Sequence, residues 1–84
     1  MSYSAEFDPP ALAGVDTLPH SAAVALAEAL ALLEIAPYSG RPVNPERTPD
    51  GPLRHLPFGT AGMLTCLIVE HEQRVDVLVV VWMG

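Results

Sequence analysis

The residues best suited to binding phosphate lie close together in this sequence. Three of the four arginines fall in one short stretch with a histidine: Arg41, Arg47, Arg54 and His55. An arginine can hold phosphate oxygens through paired hydrogen bonds, and a histidine can exchange a proton near neutral pH. The stretch is either a phosphate-binding patch or an ordinary solvated loop, because Glu46 and Asp50 partly cancel its charge.

The charge of the whole chain argues against a protein that grips nucleic acid mainly through its phosphates. Ten acidic residues oppose four arginines, lysine is absent, and the formal net charge is −6. Proteins that bind the nucleic-acid backbone normally present a basic face. Contact with nucleic acid would therefore depend on a local basic patch.

Other kinds of chemistry have little support in the residues. His20, His55 and His71 are far apart in the sequence, and Cys66 is the single cysteine. The chain has no Gly-rich phosphate loop, no His-Glu-x-x-His motif and no serine framed as a nucleophile elbow. We therefore predict no metal site and no cofactor.

Cysteine usage and hydropathy together indicate a cytoplasmic protein. A lone cysteine in an apolar strand pattern predicts a buried thiol and no disulfide, which is typical of a reducing compartment. The N-terminal residues lack the features of a signal peptide, and no apolar run is as long as the roughly 18 residues of a membrane span. We expect no membrane partner.

Apolar periodicity predicts one α+β domain over residues 1–84. The predicted elements in chain order are a strand at Tyr3–Phe7, helices at Ala11–Asp16 and Ser21–Ala36, and strands at Leu53–Phe58, Met63–Glu70 and Arg74–Trp82. A loop rich in Pro and Gly, Tyr38–Gly51, precedes the last three strands. We predict an antiparallel sheet of three to four strands packed against the N-terminal helix pair, in the order β-α-α-β-β-β. Alternation in the last strand predicts one face made of Val75, Val77, Val79 and Val81.

The longer predicted helix is apolar on two sides. One side has the spacing of a core-facing stripe: Ala22, Leu26, Ala29, Leu30 and Leu33. The other side carries Val24, Leu32 and Ile35, which the short first helix cannot cover completely. We therefore predict a partner interface at these three residues, formed with a second copy of the chain or with another protein.

The order and spacing of these segments resemble the RelE/ParE superfamily of bacterial type II toxins. The matching features are the Leu18-Pro19 break between helices, the Tyr38-Ser39-Gly40-Arg41-Pro42 loop, the Leu53-Arg54-x-Leu56-x-Phe58-Gly59 motif and the closing strand pair. The resemblance covers nearly the whole chain. It implies a small toxin that is wrapped and blocked by a cognate antitoxin protein. It also implies either cleavage of mRNA in the ribosome or, in another branch, action on DNA gyrase.

The resemblance also implies roles for individual residues. Cleavage of RNA needs a base for the 2′-hydroxyl, fixed positive charge at the phosphate and an acid for the leaving oxygen. Arg54 matches the basic residue of the first sheet strand, and His55 is a candidate acid or base. Neighbours on a strand point to opposite faces, so Arg54 and His55 should not serve one site together. Arg41, Arg47 and Trp82 are candidates for contact with RNA or another target.

Two departures from the family pattern leave the activity open. The Tyr-Arg pair of the family at the next strand is replaced by Met63-Leu64-Thr65. The final strand ends Val81-Trp82-Met83-Gly84, where many relatives carry basic residues. The predicted endoribonuclease therefore has an incomplete basic set. The alternatives are a catalytically inert interaction module of the same fold and a toxin with a non-ribosomal target.

Overall fold

The computed structural model describes residues 2–84, which form one sheet and two α-helices. The strands are β1 (Ser4–Phe7), β2 (Arg41–Pro42), β3 (Leu53–Phe58), β4 (Gly62–Val69) and β5 (Arg74–Trp82). The helices are α1 (Pro9–Val15) and α2 (His20–Ile35), with single 3-10 turns at Pro37–Ser39 and Glu70–Glu72. Among the described residues, no helix is long and apolar enough to cross a membrane.

The sheet has the strand order β1-β5-β4-β3-β2. The pairs β2–β3, β3–β4 and β4–β5 are antiparallel, whereas the pair β1–β5 is parallel. The predicted α+β class and its helix pair are confirmed. The sheet differs from the prediction in being five-stranded and mixed. A two-residue strand such as β2 is too short to show a period, and the direction of β1 depends on how α1 and α2 return the chain.

Both helices pack on one face of the sheet. α1 lies against β5, and α2 contributes Ala22, Leu26, Ala29 and Leu33 to the core, as its spacing predicted. The buried apolar side chains of the strands are Leu56, Phe58, Leu64, Cys66, Ile68, Val75, Val77 and Val80. Burial raises the pKa of the Cys66 thiol to about 11, so Cys66 stays a neutral core residue at neutral pH.

A β-bulge in β5 changes which of its valines face the core. Cys66 pairs with Val77 and Thr65 pairs with Val79, so Leu78 is the extra residue. An extra residue reverses the alternation of faces beyond it. Val77 is therefore buried and Val79 is exposed. The predicted single face of four valines was wrong, because alternation within one strand cannot show a bulge in its pairing.

Helix α1 approaches β5 closely at Gly14. A Cβ built on Gly14 would lie 2.1 Å from the carbonyl oxygen of Val80. No rotation of a side chain can relieve this contact, since the obstructing atom belongs to the backbone of a central strand. The absence of a side chain at position 14 therefore allows the helix to pack on the sheet.

We expect Gly14→Ala to lower the free energy of unfolding by about 1–3 kcal/mol, the usual cost of overpacking. Alanine favours a helix by only about 1 kcal/mol over glycine, so the steric cost should exceed that gain. Urea unfolding measures the change. The control is Ala13→Ser, at an exposed position of the same helix, which should change stability by no more than about 0.5 kcal/mol. Equal stability of Gly14→Ala and wild type would contradict the close packing.

Glu70 joins three parts of the chain at one edge of the domain. Its carboxylate accepts hydrogen bonds from the Tyr3 hydroxyl at Oε1 and from the Tyr38 hydroxyl at Oε2, the latter at 2.7 Å. The bond from Tyr3, and then that from Tyr38, holds the pKa of Glu70 below its ordinary value of 4.5. The same carboxylate raises the pKa of Tyr3 to about 12. This cluster links the residue before β1, the 3-10 turn after α2 and the β4–β5 connection.

The stabilisation from this cluster should depend on pH at both extremes. Since the pKa of Glu70 is lowered on folding, its contribution is complete above pH 4.5 and is lost as the pH falls through the lowered value. Since the pKa of Tyr3 is raised, its contribution is complete below pH 10.0 and is lost as the pH rises through about 12. Glu70→Gln should therefore be less stable than wild type between these limits and equally stable in acid.

Urea midpoints of wild type and Glu70→Gln across the pH range test this expectation. Glu46→Gln removes an exposed loop carboxylate and serves as the control. A stability difference between wild type and Glu70→Gln that stays constant into strong acid would show that the hydrogen bonds of Glu70 are not its source.

Candidate functional site

The side of the sheet away from the helices carries a pocket of about 430 Å³. Its lining residues come from β2, β3 and β4: Arg41, Pro42, His55, Pro57 and Met63. The two polar members face each other across the β2–β3 pair, since Arg41 is the register partner of His55. The structure therefore brings together one predicted catalytic residue and one predicted target-binding residue.

The imidazole of His55 is held by a neighbour on β4. His55 Nδ1 lies 3.1 Å from Thr65 Oγ1, and the two residues are cross-strand partners. This hydrogen bond orients the ring through one nitrogen, which leaves Nε2 as the nitrogen able to exchange a proton with a bound molecule. Sequence reasoning missed Thr65, because only the β3–β4 register shows that it lies opposite His55.

Arg41 supplies fixed positive charge beside that imidazole. Its side chain is exposed, and among residues 2–84 no carboxylate lies within 4.0 Å of it. A guanidinium that no carboxylate neutralises can bind a phosphate oxygen, and a histidine next to it can take or give a proton. The pocket thus holds two of the three groups that RNA cleavage requires, and its other lining residues are proline and methionine.

Arg54, the other predicted catalytic residue, lies on the opposite face of β3 and does not line the pocket. Its side chain is only 8% exposed, and its guanidinium donates to four backbone carbonyls. Nε bonds to Gly51 at 2.9 Å, Nη1 bonds to Gly40 at 3.1 Å and to Tyr38 at 3.4 Å, and Nη2 bonds to Pro49 at 3.4 Å. The expectation that Arg54 and His55 would be separated is met by this geometry.

The contacts of Arg54 fix the loop that carries Arg41. The guanidinium also lies 5.0 Å from the centre of the Tyr38 ring, within the range of a cation–π interaction. Gly40 approaches β3 so closely that a Cβ on it would lie 2.5 Å from the carbonyl oxygen of His55. The buried Arg54 side chain therefore holds β2 in place through its bonds to the preceding residues. That it also takes part in catalysis stays a prediction.

The remaining predicted target-binding residues lie elsewhere. Arg47 is exposed in the loop, where its backbone N–H donates to Asn44 Oδ1 at 3.3 Å, and it does not line the pocket. Trp82 packs beside Phe58 at the edge of the core, with ring centroids 6.3 Å apart. Neither Arg47 nor Trp82 therefore lies in the pocket.

Arg74 is engaged by neighbouring carboxylates. Its guanidinium binds Asp76 through Nε and Glu72 through Nη1, each at 2.7 Å, and the bond to Asp76 is the main cause of its raised pKa. Among the described residues, no three His, Cys, Asp or Glu side chains come together as a metal-binding group.

The predicted partner interface on α2 is open to solvent. Val24 is 47% exposed, Leu32 is 45% exposed and Ile35 is 78% exposed. Helical spacing had placed these residues away from the core, and the structure confirms that position. Their contact with a partner stays a prediction.

Solved structures of RelE toxins have the same fold. A chain of the RelBE2 toxin–antitoxin complex from Mycobacterium tuberculosis matches with a TM-score of 0.81 and 20% identity, over 98% of this chain and 99% of that chain. A chain of the intact Escherichia coli RelBE toxin–antitoxin complex gives 0.75 and 15%, over 98% of each chain. The isolated E. coli RelE toxin gives 0.79 and 15%, over 98% of this chain and 85% of that chain.

These likenesses establish the fold. At identities of 15–20%, they confirm the RelE-type architecture that the resemblance implied. No protein-family model matches this sequence, and no curated protein matches it.

We expect Arg54→Met to lower the free energy of unfolding by about 2–3 kcal/mol, because it leaves one buried and three partly buried carbonyls without this donor. Arg54→Lys should recover only part of the loss, since an ammonium cannot reach carbonyls that the planar guanidinium spans. Arg47→Met is the matched control and should leave stability unchanged. Urea unfolding provides the measurement, and equal stability of the Arg54 and Arg47 variants would contradict the role of the buried guanidinium.

Proposed function

We propose that this chain is the toxin component of a type II toxin–antitoxin pair and that a cognate antitoxin protein holds it. The observation that supports this proposal is the match over nearly the full length of both chains to structures described as toxin–antitoxin complexes. The isolated RelE toxin has the same fold, which supports the toxin, and not the antitoxin, as the chain that this protein matches in those complexes.

The exposed apolar face of α2 supports binding of a protein partner. Val24, Leu32 and Ile35 remain in contact with water in the free chain. Full burial of a side chain of this size contributes about 1.5–3 kcal/mol, and each of these partly exposed residues would gain a share of that amount. A helix laid along α2 would cover all three, as amphipathic helices do in the grooves of their partners.

For the activity itself, we propose cleavage of mRNA on the ribosome at the pocket of Arg41 and His55. His55 Nε2 takes the proton of a ribose 2′-hydroxyl while that oxygen bonds to phosphorus and the bond from phosphorus to the 5′-oxygen breaks. Arg41 stabilises the added negative charge on the phosphate oxygens. Water supplies the proton to the departing 5′-oxygen, so the products are a 2′,3′-cyclic phosphate and a 5′-hydroxyl.

A second candidate function is a catalytically inert interaction module. Apart from Arg41 and His55 the pocket is lined by Pro42, Pro57 and Met63, and Arg54 is turned to the interior. Exposed Val79 and Val81 extend this apolar character across β5. Such a surface favours contact with protein over contact with a phosphate backbone, as does the net charge of −6.

A cell-free translation reaction separates the candidates. Wild type should cleave mRNA into fragments that end in a cyclic phosphate, and His55→Ala should reduce the rate about 10²-fold or more, as loss of a general base does. Arg41→Ala should reduce it by a similar factor, because it removes the fixed charge at the phosphate. Glu46→Gln, away from the pocket, should cleave like wild type, and circular dichroism should show each variant folded.

The other outcomes lead to different conclusions. Intact mRNA with normal translation would reject the nuclease and leave the inert module. Intact mRNA together with arrested growth on expression would indicate a non-ribosomal target such as DNA gyrase. Cleavage that is unaffected in both His55→Ala and Arg41→Ala would place the active site outside this pocket.

A further inference from the structure

A carboxylate lies inside the apolar stripe on the outer side of α2. The stripe, here called the outer stripe, consists of Val24, Glu28, Ala31, Leu32 and Ile35, all of them exposed. Glu28 lies one helical turn after Val24 and one turn before Leu32, so it occupies the centre of the stripe. Any helix that covers Val24 and Leu32 must therefore also cover Glu28.

The chain itself offers no cation to Glu28. α2 contains neither lysine nor arginine, and its last turn has no basic residue. Among residues 2–84 no basic side chain lies within 4.0 Å of Glu28. Two of the four arginines are already occupied, since Arg54 binds loop carbonyls and Arg74 binds Glu72 and Asp76. A carboxylate that is removed from water without a partner destabilises a complex, so a cation that pairs with Glu28 must come from the docked molecule.

Two further features favour a basic partner. The carbonyl end of α2 carries partial negative charge and lies next to the most exposed member of the stripe, Ile35. The chain as a whole has a net charge of −6, which accelerates the approach of a positively charged partner.

A second copy of this chain fits the outer stripe poorly. Glu28 lies at the middle of α2, which spans His20–Ile35. In a two-fold pair of antiparallel α2 helices that cross at the centre of the outer stripe, the residues at that centre lie against their own copies. In a parallel pair every residue meets its own copy. A pair of copies that covers the outer stripe centrally in either arrangement brings two Glu28 carboxylates together, and α2 supplies no lysine or arginine to separate them.

We propose that the outer stripe of α2 docks an amphipathic helix of a different protein that places a lysine or arginine against Glu28. This inference rests on the proposed function, because it specifies which kind of helix the proposed protein partner presents to α2. It does not depend on nuclease activity.

The test is a selection of displayed helices on the full-length chain. The probe is a phage library of amphipathic peptides with a constant leucine stripe and randomised residues beside it. Wild type should enrich peptides with lysine or arginine at positions flanking the leucines. Glu28→Lys, used as the bait in a parallel selection, should instead enrich aspartate or glutamate. A peptide selected on wild type should bind Glu28→Lys at least about tenfold more weakly, with Glu28→Gln between the two.

A matched pair of variants locates the binding. Leu32→Glu should abolish binding of the selected peptides, whereas Val79→Glu, which changes an exposed residue on the opposite side of the domain, should not affect it. Light scattering should also show wild type as a monomer.

Three results would overturn the proposal. One is enrichment of neutral or acidic helices, or of no helix, on wild type. Another is binding that persists in Leu32→Glu. The third is a homodimer of wild type that Leu32→Glu dissociates. A chain that leaves mRNA intact can still give the expected selection, so failure of the nuclease and failure of this proposal are read from different experiments.

Discussion

The rest of the site depends on the buried guanidinium of Arg54. A charge at 8% exposure must be satisfied by hydrogen bonds, and here backbone carbonyls of the loop satisfy it instead of a carboxylate. The carbonyls converge from both ends of the loop, at Gly40 and at Gly51. One side chain thus closes a segment that has little regular structure. The register of β2 on β3, and with it the place of Arg41, follows from that closure.

The hydrogen bonds of Glu70 connect the loop that Arg54 holds to the rest of the domain. Tyr38 lies over the Arg54 guanidinium and donates its hydroxyl to Glu70. Glu70 in turn binds Tyr3, just before β1. The loop, the β4–β5 connection and the first strand are therefore linked by polar contacts around a small apolar core. In a chain of 84 residues such contacts matter, because a core of this size supplies a narrow margin of stability.

The two sides of the domain suit different partners. The helix side presents an apolar stripe with a central carboxylate, which suits a protein helix that brings a base. The sheet side presents a small pocket with one arginine and one histidine among apolar residues. The bulge at Leu78 contributes to this composition, because it turns Val79 outward instead of into the core. Beyond the bulge, β5 still contributes Val80 to the core, while Val79 and Val81 form an apolar outer surface.

The sequence alone determined the local elements and the relation of neighbouring side chains. Its periodicity predicted the last strand, Arg74–Trp82, with the bounds that the structure has, and it placed Val24, Leu32 and Ile35 on the outside of α2. Period-two alternation also required Arg54 and His55 to lie on opposite faces. Such features depend only on residues a few positions apart, and the helical and strand repeats make them readable.

Only the tertiary structure decided which of these faces was buried and what lay across from each residue. Alternation places Arg54 on the face of Leu56 and Phe58, but it does not show what satisfies the charge there, because three of the four carbonyl partners lie 5 to 16 positions away in the sequence. The pairing of His55 with Thr65 and Arg41, the parallel β1 and the bulge in β5 likewise depend on strand register. The period of one strand shows which residues share a face, but the partner of each residue is set by the turns and by packing between the strands.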